Sequence, residues 1–139
     1  MKKIVILLSF VLSAFIISSC AENNPNDPNT DNSTKITLAQ REGTYEGKSM
    51  GLSIVFNNNG EVTSVSVGGF PLPAQFPIVV GSPTDTSKEY SFPVTMTAGG
   101  TVNVKVVFDS DTQISGGNAY VGIDSEPDMS NPIPITKVS

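Results

Sequence analysis

The sequence lacks the residues on which much of protein chemistry depends. Its 139 residues contain no histidine, no tryptophan and a single cysteine, Cys20. One cysteine excludes an internal disulfide and a cysteine-based structural zinc site. Without histidine, Ser–His and Cys–His catalytic arrangements and imidazole metal ligands are also excluded. We therefore expect a protein that is not an enzyme and that holds no metal or cofactor.

Basic residues and long apolar runs are scarce as well. Lysine and arginine total 8 against 13 aspartates and glutamates, for a formal net charge of -5 at pH 7. Phosphate backbones are bound by clustered Lys and Arg, so we expect no nucleic-acid partner. The main apolar run, 4–17, is broken only by Ser9 and Ser13. It has the length of a signal-peptide core and is shorter than the roughly 20 residues of a transmembrane helix.

The N-terminus carries the most specific motif in the chain. Two lysines precede the apolar run, and Ile17-Ser18-Ser19-Cys20 follows it. This stretch resembles the lipobox of bacterial lipoproteins. The resemblance implies a signal peptide at 1–19, cleavage between Ser19 and Cys20, and acylation of the Cys20 thiol and the new amine. Several acyl chains, at roughly 0.8 kcal/mol per buried CH₂, anchor a protein firmly to a membrane. The alternatives are an ordinary secretory signal with a chance cysteine and a short buried helix.

Residues 20–36 are predicted to form a flexible, disordered tether. They are rich in asparagine, aspartate and proline, which favour turns and extended chain and cannot bury a core. Ala21, not aspartate, follows Cys20. Similarity to lipoprotein sorting rules therefore implies delivery to the bacterial outer membrane. Whether the domain beyond the tether faces the periplasm or the cell surface is left open.

Residues 37–139 are predicted to form one all-β domain. Apolar and polar residues alternate in 90–96 and 101–108, which predicts a hairpin with one buried face. A second hairpin is predicted over 52–67, because Asn59-Gly60 favours a tight type I′ turn. Weaker strand patterns lie at 44–49, 78–80, 118–123 and 133–138. We expect a single antiparallel β-sandwich or small barrel.

Two smaller features qualify this pattern. Residues 38–41 predict a short helical turn, which Gly43 soon ends. Pro93 and Pro134 each lack a backbone donor, so we expect each of them at a sheet edge or a bulge.

The layout of the chain resembles a family of small lipoproteins. The lipobox and tether are followed by Gly43-Thr44-Tyr45-Glu46-Gly47-Lys48, and Phe70-Pro71-Leu72-Pro73 lies midway. Both stretches are similar to ones in small uncharacterised lipoproteins of Bacteroides-type bacteria, several of which are described as calycin- or lipocalin-like. The resemblance implies a calycin-like β-barrel. It brings no established activity and no functional residues.

The candidate ligand-binding residues are apolar and aromatic. Phe70, Leu72 and Phe76 lie in a stretch stiffened by three prolines, 70–77. Such a stretch is suited to form a pre-ordered apolar lip over a ligand cavity or partner groove, because rigid loops lose little entropy on binding. The alternative is a crossover whose phenylalanines fill the core. Tyr45 joins the candidates, because Tyr45, Tyr90 and Tyr120 are the tyrosines that stacking on a sugar would use.

Acidic loops offer oxygen ligands but not in a known calcium pattern. Counted from Asp109, the sixth position of an EF-hand loop is Ile114 instead of glycine, and the twelfth is Tyr120 instead of glutamate. We therefore expect no specific metal site. Aspartate and serine in these loops, including 124–128, are also ordinary turn formers.

Three kinds of function remain open. The first is a non-enzymatic binding module for a small apolar ligand, a glycan or a protein, which predicts a cavity or apolar patch around 70–76. The second is a structural or assembly subunit of an envelope complex or adhesive fibre, which predicts a long unpaired edge strand. The third is a periplasmic hydrolase inhibitor that places polar loops, such as those of 109–128, in a partner's cleft. The sequence leaves the oligomeric state open.

Overall fold

The computed structural model describes residues 34–139. The predicted signal peptide, Ser19, Cys20 and the tether up to residue 33 lie outside the described residues. The fold is all-β, as predicted, with one short 3-10 helix, Ala39–Arg41. The nine strands described are β1 Gly43–Gly47, β2 Leu52–Phe56, β3 Glu61–Val67, β4 Phe70–Pro71, β5 Ile78–Val79, β6 Glu89–Thr95, β7 Thr101–Phe108, β8 Gly116–Ile123 and β9 Ile133–Lys137. No helix in this part of the chain is long and apolar enough to cross a membrane.

The strands form one antiparallel sheet that curls into a half-barrel. Their order is β4-β3-β2-β1-β9-β8-β7-β6, and β5 also pairs with β3. Pro71 lies opposite Ser66 near the end of β3, and Val79 lies opposite Glu61 at its start. Residues 70–79 therefore run beside β3 as one interrupted strand. Apart from the β1–β9 and β3–β5 pairs, every pairing joins strands that are consecutive in the chain, as in an up-and-down barrel.

Side chains from alternating strand positions fill the interior. Strand β7 shows the pattern most clearly, because every second residue from Val102 to Phe108 is buried. Aromatic rings lie edge-on to one another at the centre, with centroids 5.3 Å apart for Tyr45 and Phe108 and 6.4 Å apart for Phe56 and Phe92. Such edge-to-face pairs are favoured over face-to-face stacks. The interior is thus a packed core built from Leu38, Tyr45, Leu52, Ile54, Phe56, Val62, Val65, Tyr90, Phe92, Val94, Val102, Val104, Val106, Phe108, Ala119, Ile133 and Ile135.

Residues 36–41 form a strap across one end of the half-barrel, which we call its base. This is the end at which β7 finishes and β6 begins. The Ile36 N–H donates to the Asp111 carbonyl at 2.7 Å, and the Leu38 N–H donates to the Asp85 carbonyl at 2.7 Å. The side chain of Leu38 is fully buried. The folded domain therefore includes Ile36, which lies before the predicted boundary at residue 37.

Arg41 is the buried charged residue of this strap, with 1% of its surface exposed. Its guanidinium carbon lies 4.3 Å from the centroid of the Phe108 ring, and Nη2 donates to the Ser110 carbonyl at 2.8 Å. The Arg41 carbonyl accepts a 2.9 Å hydrogen bond from the Tyr45 hydroxyl, while Nε has no partner among the described residues. Burial lowers the pKa of the guanidinium. Arg41 thus packs its side chain into the base of the half-barrel and forms no ion pair within residues 34–139.

The predicted strands are confirmed, and the structure differs from the prediction at one turn and at one proline. The type I′ turn predicted at Asn59-Gly60 requires a positive φ at both residues, but of the two only Gly60 has one, at 77°. The two predicted hairpins are β6–β7 and β2–β3, and the predicted turn at 38–41 is the 3-10 helix. Pro93 lies on β6, at the end of the strand order, as predicted. Pro134 lies on β9, which pairs with strands on both sides. It is tolerated there because the β1–β9 pairing ends at Thr136, so Pro134 lies beyond the paired part of β1.

Candidate functional site

The proline segment, residues 70–80, forms part of the barrel wall. The side chains at its even positions after Phe70 turn inward and pack against the core; they are Leu72, Ala74, Phe76, Ile78 and Val80. The residues at odd positions from Pro71 to Val79 are exposed. This periodicity agrees with the alternative interpretation of the segment as a crossover that fills the core. Phe70, in contrast, is 78% exposed.

Tyr45 is not part of a surface binding site. It is fully buried, and the only polar atom of its side chain is engaged by the Arg41 carbonyl. Tyr90 is also buried, whereas Tyr120 is half-buried and lies opposite Lys105 on the outer wall. Of the four candidate binding residues, Phe70 is thus the one whose side chain is open to a ligand. The three tyrosines form no shared platform for a sugar.

An open seam separates the proline segment from β6. Within residues 34–139, one isolated bridge pairs the backbones across it, between Ala74 and Met96; in this bridge the Thr97 N–H donates to the Pro73 carbonyl at 2.7 Å. Strand β6 otherwise pairs with β7 alone. The seam is where the half-barrel fails to close.

The hydrogen-bond pattern of β6 shows which residues face the seam. The Lys88 carbonyl accepts from the Phe108 N–H at 2.9 Å, and the Met96 N–H donates to the Gly100 carbonyl at 3.0 Å. In an antiparallel edge strand, alternate residues bond to the neighbouring strand. The even-numbered residues of β6 therefore bond to β7. The odd-numbered residues, Ser91, Pro93 and Thr95, direct their backbone groups into the seam.

The proline segment, on the other side of the seam, also alternates in its backbone hydrogen bonds. The Leu72 N–H donates to the Val65 carbonyl at 2.8 Å, and the Val80 N–H donates to the Gly60 carbonyl at 3.0 Å. Leu72 and Val80 thus bond towards β3, whereas the Pro73 carbonyl accepts across the seam, so the odd positions of the segment face the seam. Prolines occupy these odd positions at 71, 73 and 77, and position 93 on β6 is also proline. Because proline has no N–H, these residues prevent the seam from closing as a β-ladder.

A groove lies on the outer wall beside the seam, between strands β6–β7 and a flap formed by residues 124–129. We call it the flap groove, and its volume is about 460 Å³. Its floor includes two cross-strand pairs, Ser91 with Lys105 and Pro93 with Asn103. Its full lining is Ser91, Phe92, Pro93, Asn103, Val104, Lys105, Glu126, Pro127 and Met129.

Hydrogen bonds hold the flap against the sheet. The Asp124 N–H donates to the Thr101 carbonyl at 2.8 Å, and the Thr101 N–H donates to Asp124 Oδ1 at 2.7 Å. Nδ2 of Asn103 donates to the Ser125 carbonyl at 2.8 Å. Gly122 lies beneath, where a Cβ atom would overlap carbonyl oxygens of the flap. The flap is therefore held in one arrangement before any partner arrives.

The charged groups of the flap groove are not all paired. Lys105 Nζ lies 2.9 Å from Glu89 Oε2, and this hydrogen bond lowers the pKa of the Glu89 carboxyl. Hydrogen bonds from Ser130 and Asn131 lower the pKa of Asp128. The carboxylate of Glu126 forms no ion pair or hydrogen bond within the described part of the chain. The groove therefore combines proline and methionine walls with one unpaired carboxylate.

A second groove, of about 340 Å³, lies at the seam itself. We call it the seam groove, and its lining is Gln75, Ile78, Pro93, Thr95, Met96 and Thr97. Pro93 belongs to both grooves. Together they form one surface across β6, which we call the β6 face.

The acidic loops lie away from one another. Residues 109–115 precede β8 and residues 124–132 follow it, so the two loops lie at opposite ends of this strand. In the first loop, both carboxylate oxygens of Asp109 accept from the Ser115 hydroxyl, at 2.8 and 2.7 Å. No cluster of three or more acidic or cysteine side chains suited to a metal ion occurs within residues 34–139. The two loops therefore form no single surface for a hydrolase cleft.

No family model, curated protein or solved structure matches the chain. Sequence reasoning singled out Phe70, Leu72 and Phe76 but missed the β6 face. The usable signal was the spacing of the prolines at 71, 73 and 77, which alternate with inward apolar residues and match the lone proline of β6.

Proposed function

We propose that the chain is an acyl-anchored, non-enzymatic protein of the bacterial outer membrane whose β-domain binds a partner protein at the β6 face. The anchor rests on the lipobox resemblance of Ile17-Ser18-Ser19-Cys20. The domain has an acidic balance, so the acyl chains of Cys20, not a basic patch, hold it at the membrane.

The observation that carries the binding role is the meeting of two grooves at Pro93. The two grooves, of about 460 and 340 Å³, share this residue and so adjoin across β6. Met129, 51% exposed, and Pro127 offer apolar contact, while Gln75 and Asn103 offer hydrogen bonds. An apolar centre with a polar rim is the composition of protein–protein interfaces.

The other candidate ligands fit the described residues less well. A small apolar ligand inside the barrel would have to displace the packed core. A glycan would need exposed aromatic platforms at the grooves, but Tyr45 and Tyr90 are buried, and the exposed Phe70 lines neither groove. A fibre assembled by strand addition would need donors along the free edge of β6, and Pro93 removes the central one. Docking of partner side chains into the β6 face avoids all three difficulties.

Site-specific photo-crosslinking in living cells tests this proposal. A benzophenone amino acid would replace Gln75 or Met129 of the full-length chain, one in each groove. Thr63, an exposed residue of β3, is the matched control. We expect the same protein adduct from both groove positions and none from Thr63. The proposal fails if neither groove position gives an adduct, or if Thr63 gives the same one.

A further inference from the structure

The flap groove has a carboxylate whose charge is not balanced. Asp124 and Asp128 use their carboxylates in hydrogen bonds to neighbouring residues, and Lys105 is paired with Glu89. Glu126 has no such partner within residues 34–139; it is exposed and lines the groove. The net charge that a bound group meets there is therefore negative.

The walls of the same groove suit a long aliphatic stem. Pro93 lines it from the sheet, and Pro127 and Met129 line it from the flap. A lysine or arginine side chain combines an apolar stem with a cationic head, and such side chains bury the stem along apolar surface. Arginine is also among the residues that dominate binding at protein interfaces.

We infer that the flap groove binds a lysine or arginine side chain of the partner protein, with its stem against Pro93, Pro127 and Met129 and its cation at Glu126. This inference rests on the proposed function, because it names what the partner inserts into the β6 face. The flap is already held by the Asp124–Thr101 and Asn103–Ser125 hydrogen bonds. Little ordering is thus required when the basic side chain enters.

The test changes the charge of Glu126 and reads out docking from the other groove. The benzophenone stays at Gln75, so the probe itself does not touch the flap. Glu126→Gln removes the charge at nearly constant size, and Glu126→Lys reverses it. Glu46→Lys, on the exposed face of β1, is the matched control for the change in net charge. Because Glu126 is exposed and unpaired, we expect all these variants to fold with unchanged thermal midpoints.

We expect Glu126→Gln to lower the adduct yield about tenfold or more and Glu126→Lys to abolish it. Glu46→Lys should leave the yield unchanged. An undiminished adduct with Glu126→Lys would contradict the binding of a basic side chain in the flap groove. It would leave the proposed docking at the β6 face intact. Absence of any adduct from the wild-type groove positions would instead overturn the proposed function, and this inference with it.

Discussion

Tyr45 links the strap to the core and allows a quantitative prediction. Its hydroxyl is fully buried and donates to the Arg41 carbonyl at 2.9 Å. Substitution Tyr45→Phe removes this donor and leaves the carbonyl without a partner. We expect a loss of about 1–2 kcal/mol in the free energy of unfolding at neutral pH.

The same burial reverses the effect at high pH. Desolvation raises the pKa of Tyr45 from 10.0 to about 12. Between these values the unfolded chain ionises its phenol while the folded protein keeps it neutral, so the unfolded state holds fewer protons and stability falls as pH rises. At about 1.4 kcal/mol per pH unit, the wild-type protein loses about 3 kcal/mol across this interval. The loss is absent below pH 10 and complete above pH 12. Tyr45→Phe has no phenol at this position and escapes it.

The two stability curves should therefore cross. We expect wild type to be the more stable at pH 7 to 9, the two proteins to be equal near pH 11, and Tyr45→Phe to be the more stable at pH 12. Urea unfolding followed by circular dichroism at each pH measures the difference, in which the other titrating groups cancel. A difference that stays constant from pH 7 to pH 12 would refute the buried, donating hydroxyl.

Three further predictions address the seam, the strap and the proline segment. Hydrogen exchange should be faster, by about tenfold or more, at the Ser91 amide than at the Phe92 amide, because only the second bonds to β7; equal protection would contradict an open seam. The free energy of unfolding of Arg41→Met, measured with heat or urea, should lie within about 1 kcal/mol of wild type, since methionine keeps the packed stem. Arg41→Ala should lower it by about 2–4 kcal/mol. Equal losses would contradict a role of Arg41 in packing. Phe76→Ala should cost about 2–4 kcal/mol in the same assay and Phe70→Ala less than about 0.5 kcal/mol, and the reverse order would contradict the placement of the two rings.

The strands were predictable from the sequence because burial on one face imposes alternation. In 101–108, Val102, Val104 and Val106 point inward and are separated by residues of the outer wall. The turn at Asn59-Gly60 was predictable for a second reason, since Gly60 adopts a φ of 77° that glycine accommodates readily.

The β6 face was not predictable in the same way, because it depends on contacts between distant parts of the chain. The flap groove joins residues of two strands to a flap more than twenty positions further on, held by the bond from Asn103 to Ser125. Alternation places Asn103 on the outer wall but does not reveal what covers it. The burial of Arg41 was not predictable from the sequence either, because a charged residue in a short turn is ordinarily solvated.

The proline segment shows why its local sequence allowed two interpretations. Phe70 and Phe76 lie in similar surroundings along the chain, each followed by a proline. One ring is exposed and the other packs against the core, because the segment crosses from the end of β3 to its start. The pairing with β3 makes this distinction, and local composition does not contain it.

The acyl anchor at Cys20 holds the proposed protein at the membrane, and mass spectrometry of the mature protein tests this anchor directly. The protein would be purified from its own membranes in detergent and its N-terminal peptide measured, with Cys20→Ala as the control that cannot be acylated on sulfur. We predict a mature N-terminus at Cys20 carrying acyl chains on both sulfur and amine. An N-terminus elsewhere, or a free Cys20 thiol, would contradict the proposed envelope anchor.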